Sequence, residues 1–273
     1  SLILAVLLWH SDGAAWLSIA RCGSDFLLHF RNLADFLVRA DGTRVCCYPR
    51  SGTTPETIRH LFLDQVLPLV LSHRGELVLH ASAVVCPQGA IAFIGVSGVG
   101  KSTLSASFTR QGCPLLADDC LRVQERAGQF FGIPSYPSLR LWDDAIRVLF
   151  GHQSEAPPVA LYTTKKRMGV DRGARAFCPG AALLRRLYIL APEEHTARTK
   201  EVKVTPLRPR EAFVELVKAA YKLDIKDRER LRREFECLGR MVAIPFLYRL
   251  AYPRDFAFLP AVQDAILQNL SED

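Results

Sequence analysis

The chain has 273 residues, 49% of them hydrophobic and 23% charged, which is the balance of an ordinary globular protein with enough apolar residues for a sizeable core. Lys and Arg outnumber Asp and Glu by 35 to 28, a net charge of +7 spread along the sequence; it suits an anionic ligand, and no basic stripe interleaved with aromatics points to nucleic acid. The eight cysteines include the neighbours Cys46 and Cys47 but no C-x-x-C and no Cys/His spacing of the zinc type, so the expectation is scattered, reduced thiols in a cytoplasmic protein.

Leu2–Trp9 is an apolar run too short to cross a bilayer and without the flanks of a secretory signal; it predicts a strand and no membrane partner. Trp16–Ala20, Phe26–Phe30, Ala34–Val38 and Arg44–Tyr48 predict four more, punctuated by turns at Asp12-Gly13, Cys22-Gly23 and Asp41-Gly42. Thr54-Pro55-Glu56-Thr57 predicts a helix start, with Thr54 as N-cap and Pro55 in the first turn. Ile58, Leu61, Phe62, Val66, Leu69 and Val70 carry its apolar face toward a stop near Gly75, and Pro68 is expected to kink or shorten it. Residues 1–75 are therefore expected to form a smaller β-rich N-terminal region plus a helix, and residues 76–273 a catalytic domain.

Glu76–Val85 and Gly89–Ile94 predict two strands joined through Cys86-Pro87-Gln88 as a hairpin, so the second strand has an antiparallel neighbour in place of a helical crossover. Lys101–Gln111 predicts a helix stopped by Gly112, and Cys120–Gln124 and Gln129–Ile133 predict strands joined at Ala127-Gly128. The sheet should accordingly be mixed and partly antiparallel. Residues 151–182, rich in Gly, Pro and basic residues, predict mostly loop. Arg186–Ala191, Val202–Pro206 and Ala243–Leu250 follow as strands, with helices at Pro209–Lys222, Lys226–Gly239 and Phe256–Leu270, the last capped at Arg254-Asp255.

Gly95-Val96-Ser97-Gly98-Val99-Gly100-Lys101-Ser102 has the full G-x-x-x-x-G-K-[ST] pattern of a P-loop, with an apolar strand ahead and a helix behind. Glycines let backbone N–H groups converge on phosphate oxygens, and the helix N-terminus adds partial positive charge. The pattern predicts ATP with Mg²⁺: Gly95, Ser97, Gly98, Val99, Gly100 and Thr103 around the nucleotide, Lys101 on the outer phosphates and Ser102 on the metal. Asp118 and Asp119 end an apolar run, and adjacent strand residues point to opposite faces. One is expected to face an acceptor hydroxyl as base or orienter, the other to face the metal or buttress the site. His80 falls within the predicted Leu77–Val85 strand on the face of Val78 and Ser82, where a histidine is more often a hydrogen-bonded core residue than a catalytic one.

The span from Leu79-His80-Ala81 through Asp118-Asp119-Cys120 resembles the catalytic domain of HPr kinase/phosphorylase and the related HPr-kinase-like serine kinases, including those that modify lasso-peptide precursors. His80, the loop Gly95–Ser102 and Ala117-Asp118-Asp119 carry the likeness, which extends over roughly Leu77 to Ala220. It implies an α/β P-loop kinase domain with a mixed sheet like that of phosphoenolpyruvate carboxykinase. It also implies ATP and Mg²⁺ as cofactors, a serine hydroxyl on a peptide or small protein as acceptor, and homo-oligomer formation as in the ring-forming HPr enzymes. Asp118 would activate the hydroxyl, His80 and Lys101 would support the site, and Asp119 would stand with Ser102 at the metal.

The departures bear on substrate. Where those enzymes carry a Glu-containing, Gly-rich signature, this chain reads Tyr136-Pro137-Ser138-Leu139-Arg140-Leu141-Trp142-Asp143-Asp144, and Arg210-Glu211-Ala212 replaces the Gly-Arg-Asn of the later turn. Both changes argue against phosphorolysis and against HPr as acceptor. Arg140 could pair with phosphate oxygens in place of a metal-bound carboxylate, with Asp143 or Asp144 reaching Mg²⁺; the simpler alternative is a surface loop with a helix cap. Lys165-Lys166-Arg167 reads either as a clamp for ATP or an acidic peptide or as a solvated basic loop. Two other functions stay open: a kinase for a sugar, polyol or amino acid on the same scaffold, and a non-catalytic nucleotide-sensing module.

Overall fold

The computed structural model describes residues 3–9, 15–151, 156–170, 176–191 and 201–272; the expected Asp12-Gly13 turn and parts of the 151–182 loop lie outside the described residues. The chain divides into two compact units. The first comprises Ser1–Leu77, Pro158–Thr164 and Tyr221–Glu234; the second comprises Val78–Pro157, Lys165–Ala220 and Phe235–Asp273.

In the first unit, β1 (Ile3–Trp9), β2 (Ala15–Cys22), β3 (Asp25–Phe30), β4 (Ala34–Val38) and β5 (Val45–Pro49) pair in chain order as an antiparallel meander. Alternation sets its buried face: Phe26, Leu28 and Phe30 of β3 and Ala34, Phe36 and Val38 of β4 are covered, while the residues between them are half-exposed. Leu61, Val66, Leu69 and Val70 pack onto that face. They come from α1 (Pro55–Leu61), the π turn Phe62–Val66 and α2 (Leu67–His73), which follow one another without a break. Thr54 caps α1 by accepting the Thr57 N–H at 3.3 Å. Pro68 does not end the helix. It lacks an N–H and its ring crowds the preceding turn, and the wider π turn just ahead of it is where the helix absorbs that defect.

The later elements are, in chain order, β6 (Leu77–Leu79), β7 (Ala81–Cys86), β8 (Gly89–Ile94), α3 (Lys101–Arg110), β9 (Leu115–Ala117), β10 (Leu121–Arg126), β11 (Gln129–Ile133), β12 (Ser138–Leu141), α4 (Asp143–Phe150), β13 (Pro158–Ala160), β14 (Thr163–Gly169), β15 (Ala182–Leu190), β16 (Lys203–Pro206), α5 (Pro209–Ala219), α6 (Arg228–Val242), β17 (Leu247–Ala251) and α7 (Leu259–Ser271). The second unit is built on a mixed sheet in the order β6-β10-β11-β15-β8-β7-β9, with β17 also on β15 and β16 on β17. This is a mixed α/β architecture. Among the described residues, no helix is long and apolar enough to cross a membrane.

Topology explains why distant residues meet. The strands β7 and β8 form the expected antiparallel hairpin, and β15 and β17 run parallel to β8. β9 is antiparallel to β7, hence also parallel to β8. The C-terminal ends of β8, β9, β15 and β17 therefore open on one edge of the sheet, the edge at which parallel α/β sheets present ligand sites. β7 runs the other way, so its start, beside His80, lies there too. Beneath, Phe93 stacks between Phe108 of α3 and Tyr188 of β15 in a continuous apolar core.

Three expectations need correction. The strand foreseen over Glu76–Val85 breaks at His80, whose N–H donates to the Ala219 carbonyl at 2.8 Å, so strand alternation does not set the direction of this side chain. The supposed loop 151–182 contains β13 and β14, and Lys165-Lys166-Arg167 lies on β14 because that strand pairs with β12, Ser138 opposite Gly169 and Leu141 opposite Lys166. Tyr136–Asp144 is accordingly no surface loop: it supplies β12 and the first turn of α4.

Candidate active site

The segment Gly95–Gly100 connects β8 to the first turn of α3. Gly100 sits at φ 97°, and a β-carbon there would lie 3.1 Å from the Tyr252 hydroxyl and 3.2 Å from Arg254 Nη1, so both conformation and space call for glycine. Gly98, at φ 83°, has nothing within 4 Å of where its β-carbon would be and leaves the loop open. Ser97 and Gly98 are exposed, Val99 turns its side chain into the core, and Thr103 is half-buried in the first turn of α3. Arg254 braces the loop by donating to the carbonyls of Val99 and Ala191, the latter at 2.7 Å.

Lys101 is buried. Its Nζ donates to the carbonyls of Gly95 (2.8 Å) and Val96 (3.0 Å) and to His80 Nε2 (3.0 Å). An ammonium only donates, so Nε2 must accept; the His80 proton is then on Nδ1, which donates to the Asp119 carbonyl at 3.2 Å. Burial, against the pull of Asp119 and Asp118, brings the Lys101 pKa down to about 8. Burial also lowers the His80 pKa, with Lys101 adding to the shift and Asp119 opposing it, in keeping with a neutral imidazole.

Ser102 Oγ donates to Asp118 Oδ1 at 2.8 Å, joining residues 16 apart in sequence. Asp118 is fully buried, and its other oxygen accepts from the Arg140 backbone N–H at 3.0 Å and from Arg140 Nη2 at 3.4 Å. The same Nη2 lies 2.9 Å from Asp119 Oδ2. Asp119 adopts φ 59°, an uncommon conformation for a non-glycine residue, and one that local structure must hold in place. Burial opposes its ionisation, but Arg140 first, then His80, Lys165 and Lys101, outweigh that and keep its carboxyl well below the ordinary range. Behind Ser102, Ser82 Oγ donates to Ser105 Oγ at 2.7 Å.

The structure thus gathers His80, Lys101, Ser102, Asp118 and Asp119 at the start of α3, and it adds Arg140 and Arg254 in roles other than those expected of them. Arg140 is only 1% exposed and is engaged by the two aspartates, so it is not presented to solvent as a phosphate-pairing group. The expectation of a phosphate-pairing Arg140 is thereby corrected: it lies within Ser138-Leu139-Arg140-Leu141, whose four residues are all buried. Arg254 follows the end of β17 with no motif around it. Asp143 pairs with Lys166 at 2.8 Å and Asp144 accepts the Ala145 N–H at 2.7 Å, so both serve the first turn of α4. Lys165 lies over the Trp142 ring at 5.3 Å, and Arg167 donates to Ser138 Oγ at 3.1 Å.

Hydroxyl and carboxylate oxygens from Ser102, Asp118 and Asp119 are the hard donors that Mg²⁺ takes, and the open, glycine-shaped loop ahead of α3 suits phosphate. Among the described residues no cluster of three or more His, Cys, Asp or Glu could hold a metal ion. A cation held by one or two carboxylates and completed by ligand phosphates fits that inventory.

No family model matches the chain, and no curated protein matches it. A solved structure, the HPr(Ser) kinase/phosphatase from Coxiella burnetii, aligns with 71% of this chain and 97% of its own, at 12% sequence identity and a TM-score of 0.38. The two backbones agree only loosely at that score.

Proposed function

We propose that the chain is an ATP-dependent kinase that transfers the γ-phosphoryl group to a serine-type hydroxyl of a peptide or small protein. The observation that carries this reading is the 2.8 Å hydrogen bond from Ser102 to Asp118 at the start of α3. A strand-to-helix turn has no need of a carboxylate on the hydroxyl that follows its lysine; a Mg²⁺–nucleotide site needs both. The serine acceptor rests on the sequence resemblance.

ATP, when bound, supplies the activated phosphoryl group; the chain contributes position and charge. Loop N–H groups and the positive end of α3 hold phosphate oxygens. Lys101, folded onto two carbonyls and His80, carries donors that can exchange those partners for phosphate. Ser102 and Asp119 would hold Mg²⁺, and Asp118 would orient the acceptor hydroxyl. The burial of Asp118 favours a second arrangement in which the aspartates exchange roles. Asp118, sealed beneath Ser102 and Arg140, would stand on the metal side, and Asp119, its side chain 18% exposed, would face the acceptor.

Labelling with γ-labelled ATP, using peptides and proteins encoded beside the gene, tests the reading. Wild type should label an acceptor and Lys101→Ala should not. Of Asp118→Asn and Asp119→Asn, the orienter's variant keeps Mg²⁺-dependent nucleotide binding but loses transfer, while the metal-side variant loses both. Tight ATP binding by the wild type with no transfer to any acceptor would leave a nucleotide-sensing module in place of a kinase.

A further inference from the structure

Cys86 ends β7, and Cys113 lies two residues before β9. These strands pair antiparallel, with Ala83 opposite Ala117 and Val84 opposite Leu115. The Val85 N–H donates to the Pro114 carbonyl at 2.8 Å, which extends the pairing and brings Cys86 opposite Cys113. Their sulfurs are 3.3 Å apart. Opposed residues of an antiparallel ladder have Cα separations of about 4.5–5.5 Å, within the ~4.4–6.8 Å that a disulfide spans. Both side chains belong to the core shared by Val84, Phe108 and Leu115, which holds the pair in register, with Cys113 the less covered of the two.

We infer that Cys86 and Cys113 are a modification site: a dithiol that a peroxide closes to a cross-strand disulfide without rearranging the sheet. In the first step the Cys113 thiolate attacks a peroxide oxygen; a sulfur–oxygen bond forms, the O–O bond breaks and hydroxide leaves. The Cys86 sulfur then attacks the sulfenic sulfur. The S–S bond forms, and the oxygen departs as water with the Cys86 proton. Two thiols are oxidised by two electrons and one hydrogen peroxide is reduced to two waters, the hydroxide taking up the proton that Cys113 gave up. Cys113 is the attacking residue because it is the more exposed of the two, and the hydrogen bond between the sulfurs lowers its pKa while raising that of Cys86.

The link has a defined place. Cys86 pairs with Gly89 at the end of the hairpin away from the loop, whereas Ala81 pairs with Ile94 at the loop end. A disulfide here ties the exit of α3 to the hairpin and leaves Lys101 and Ser102 unconstrained. Cys46 and Cys47, neighbours on β5, point to opposite faces of the strand and so do not pair with each other.

The test treats the whole folded chain with hydrogen peroxide, blocks remaining thiols, and maps peptides without reduction. Expected are a mass loss of two hydrogens, a joined pair of peptides containing Cys86 and Cys113, and an upward shift in Tm that dithiothreitol reverses. Cys86→Ser and Cys113→Ser should each lose the joined peptides. Oxygen additions at Cys86 or Cys113 with no link would overturn the inference. So would a link confined to chain that has first been unfolded. The wild-type peptide map decides the matter even if a serine variant fails to fold.

Discussion

Replacing Arg140 with Met keeps a long unbranched side chain and removes the guanidinium that stands 2.9 Å from Asp119 and 3.4 Å from Asp118. Arg140 is 1% exposed, so water cannot take over its role at once. Taking one partner from a buried ion pair costs about 3–5 kcal/mol, because the remaining charge is left in a poor solvent. The backbone N–H of residue 140 still reaches Asp118, so the loss falls mainly on Asp119. Urea unfolding without Mg²⁺ should show it as a lower midpoint at unchanged slope. A double-mutant cycle with Asp119→Asn should recover about 1–3 kcal/mol, since the asparagine leaves no stranded charge. The pH dependence has a definite sign. The Asp119 carboxyl titrates below its ordinary value of 3.8, so the wild type keeps this contribution above that value and loses it as pH falls further. Arg140→Met should lose little over the same acid range. A variant within about 1 kcal/mol of wild type, or strict additivity with Asp119→Asn, would refute the charge-balance argument.

Burial brings the Lys101 pKa from 10.5 to about 8, and phosphate should restore it, so ATP binding at alkaline pH should draw a proton from buffer. Calorimetry in buffers of different ionisation enthalpy reads that uptake directly; Lys101→Ala should abolish it and weaken binding about 10- to 100-fold. Gly132→Ala puts a β-carbon 2.7 Å from Leu116 Cδ2 and 3.2 Å from Leu121 Cδ1 in a packed region, for an expected loss of about 1–3 kcal/mol in urea unfolding. An unchanged midpoint would mean that Leu116 moves aside freely. Closing the Cys86–Cys113 disulfide constrains residues 27 apart, which on a chain-entropy basis adds about 3.5 kcal/mol and, at about 2–4 °C per kcal/mol, raises Tm by roughly 7–14 °C. A fall in Tm on oxidation would show that the bond strains the sheet.

Elements set by local chemistry were legible in the sequence. The strands Phe26–Phe30 and Ala34–Val38 announce themselves by alternation, and Ala127-Gly128 takes positive φ at both residues, the turn that a two-residue hairpin needs. The glycine loop and the aspartate pair were found for the same reason: short spacings fixed by backbone geometry. What stayed hidden depends on partners far away in the chain. His80 leaves the strand because Ala219, on α5, takes its N–H. β14 forms because β12 offers an edge, which the basic composition of Thr163–Gly169 does not hint at. Arg140 lies in a four-residue strand, and its burial becomes intelligible only once Asp118 and Asp119 are seen beneath it.

That last contact changes how the site balances its charges. Asp118 and Asp119 lie among Arg140, Lys101 and Lys165 in an environment that penalises unmatched charge. Arg140 is fixed to the carboxylates, whereas Lys101 is held by neutral carbonyls and a neutral imidazole and is therefore the cation that can leave. A polyanion at the loop would draw Lys101 outward and uncover carboxylate charge near Ser102, which is the condition under which Mg²⁺ is held by a few carboxylates together with phosphate oxygens. Arg140, paired with both aspartates, would hold them in place ahead of nucleotide, and the expected order is that Mg²⁺ enters together with the phosphates.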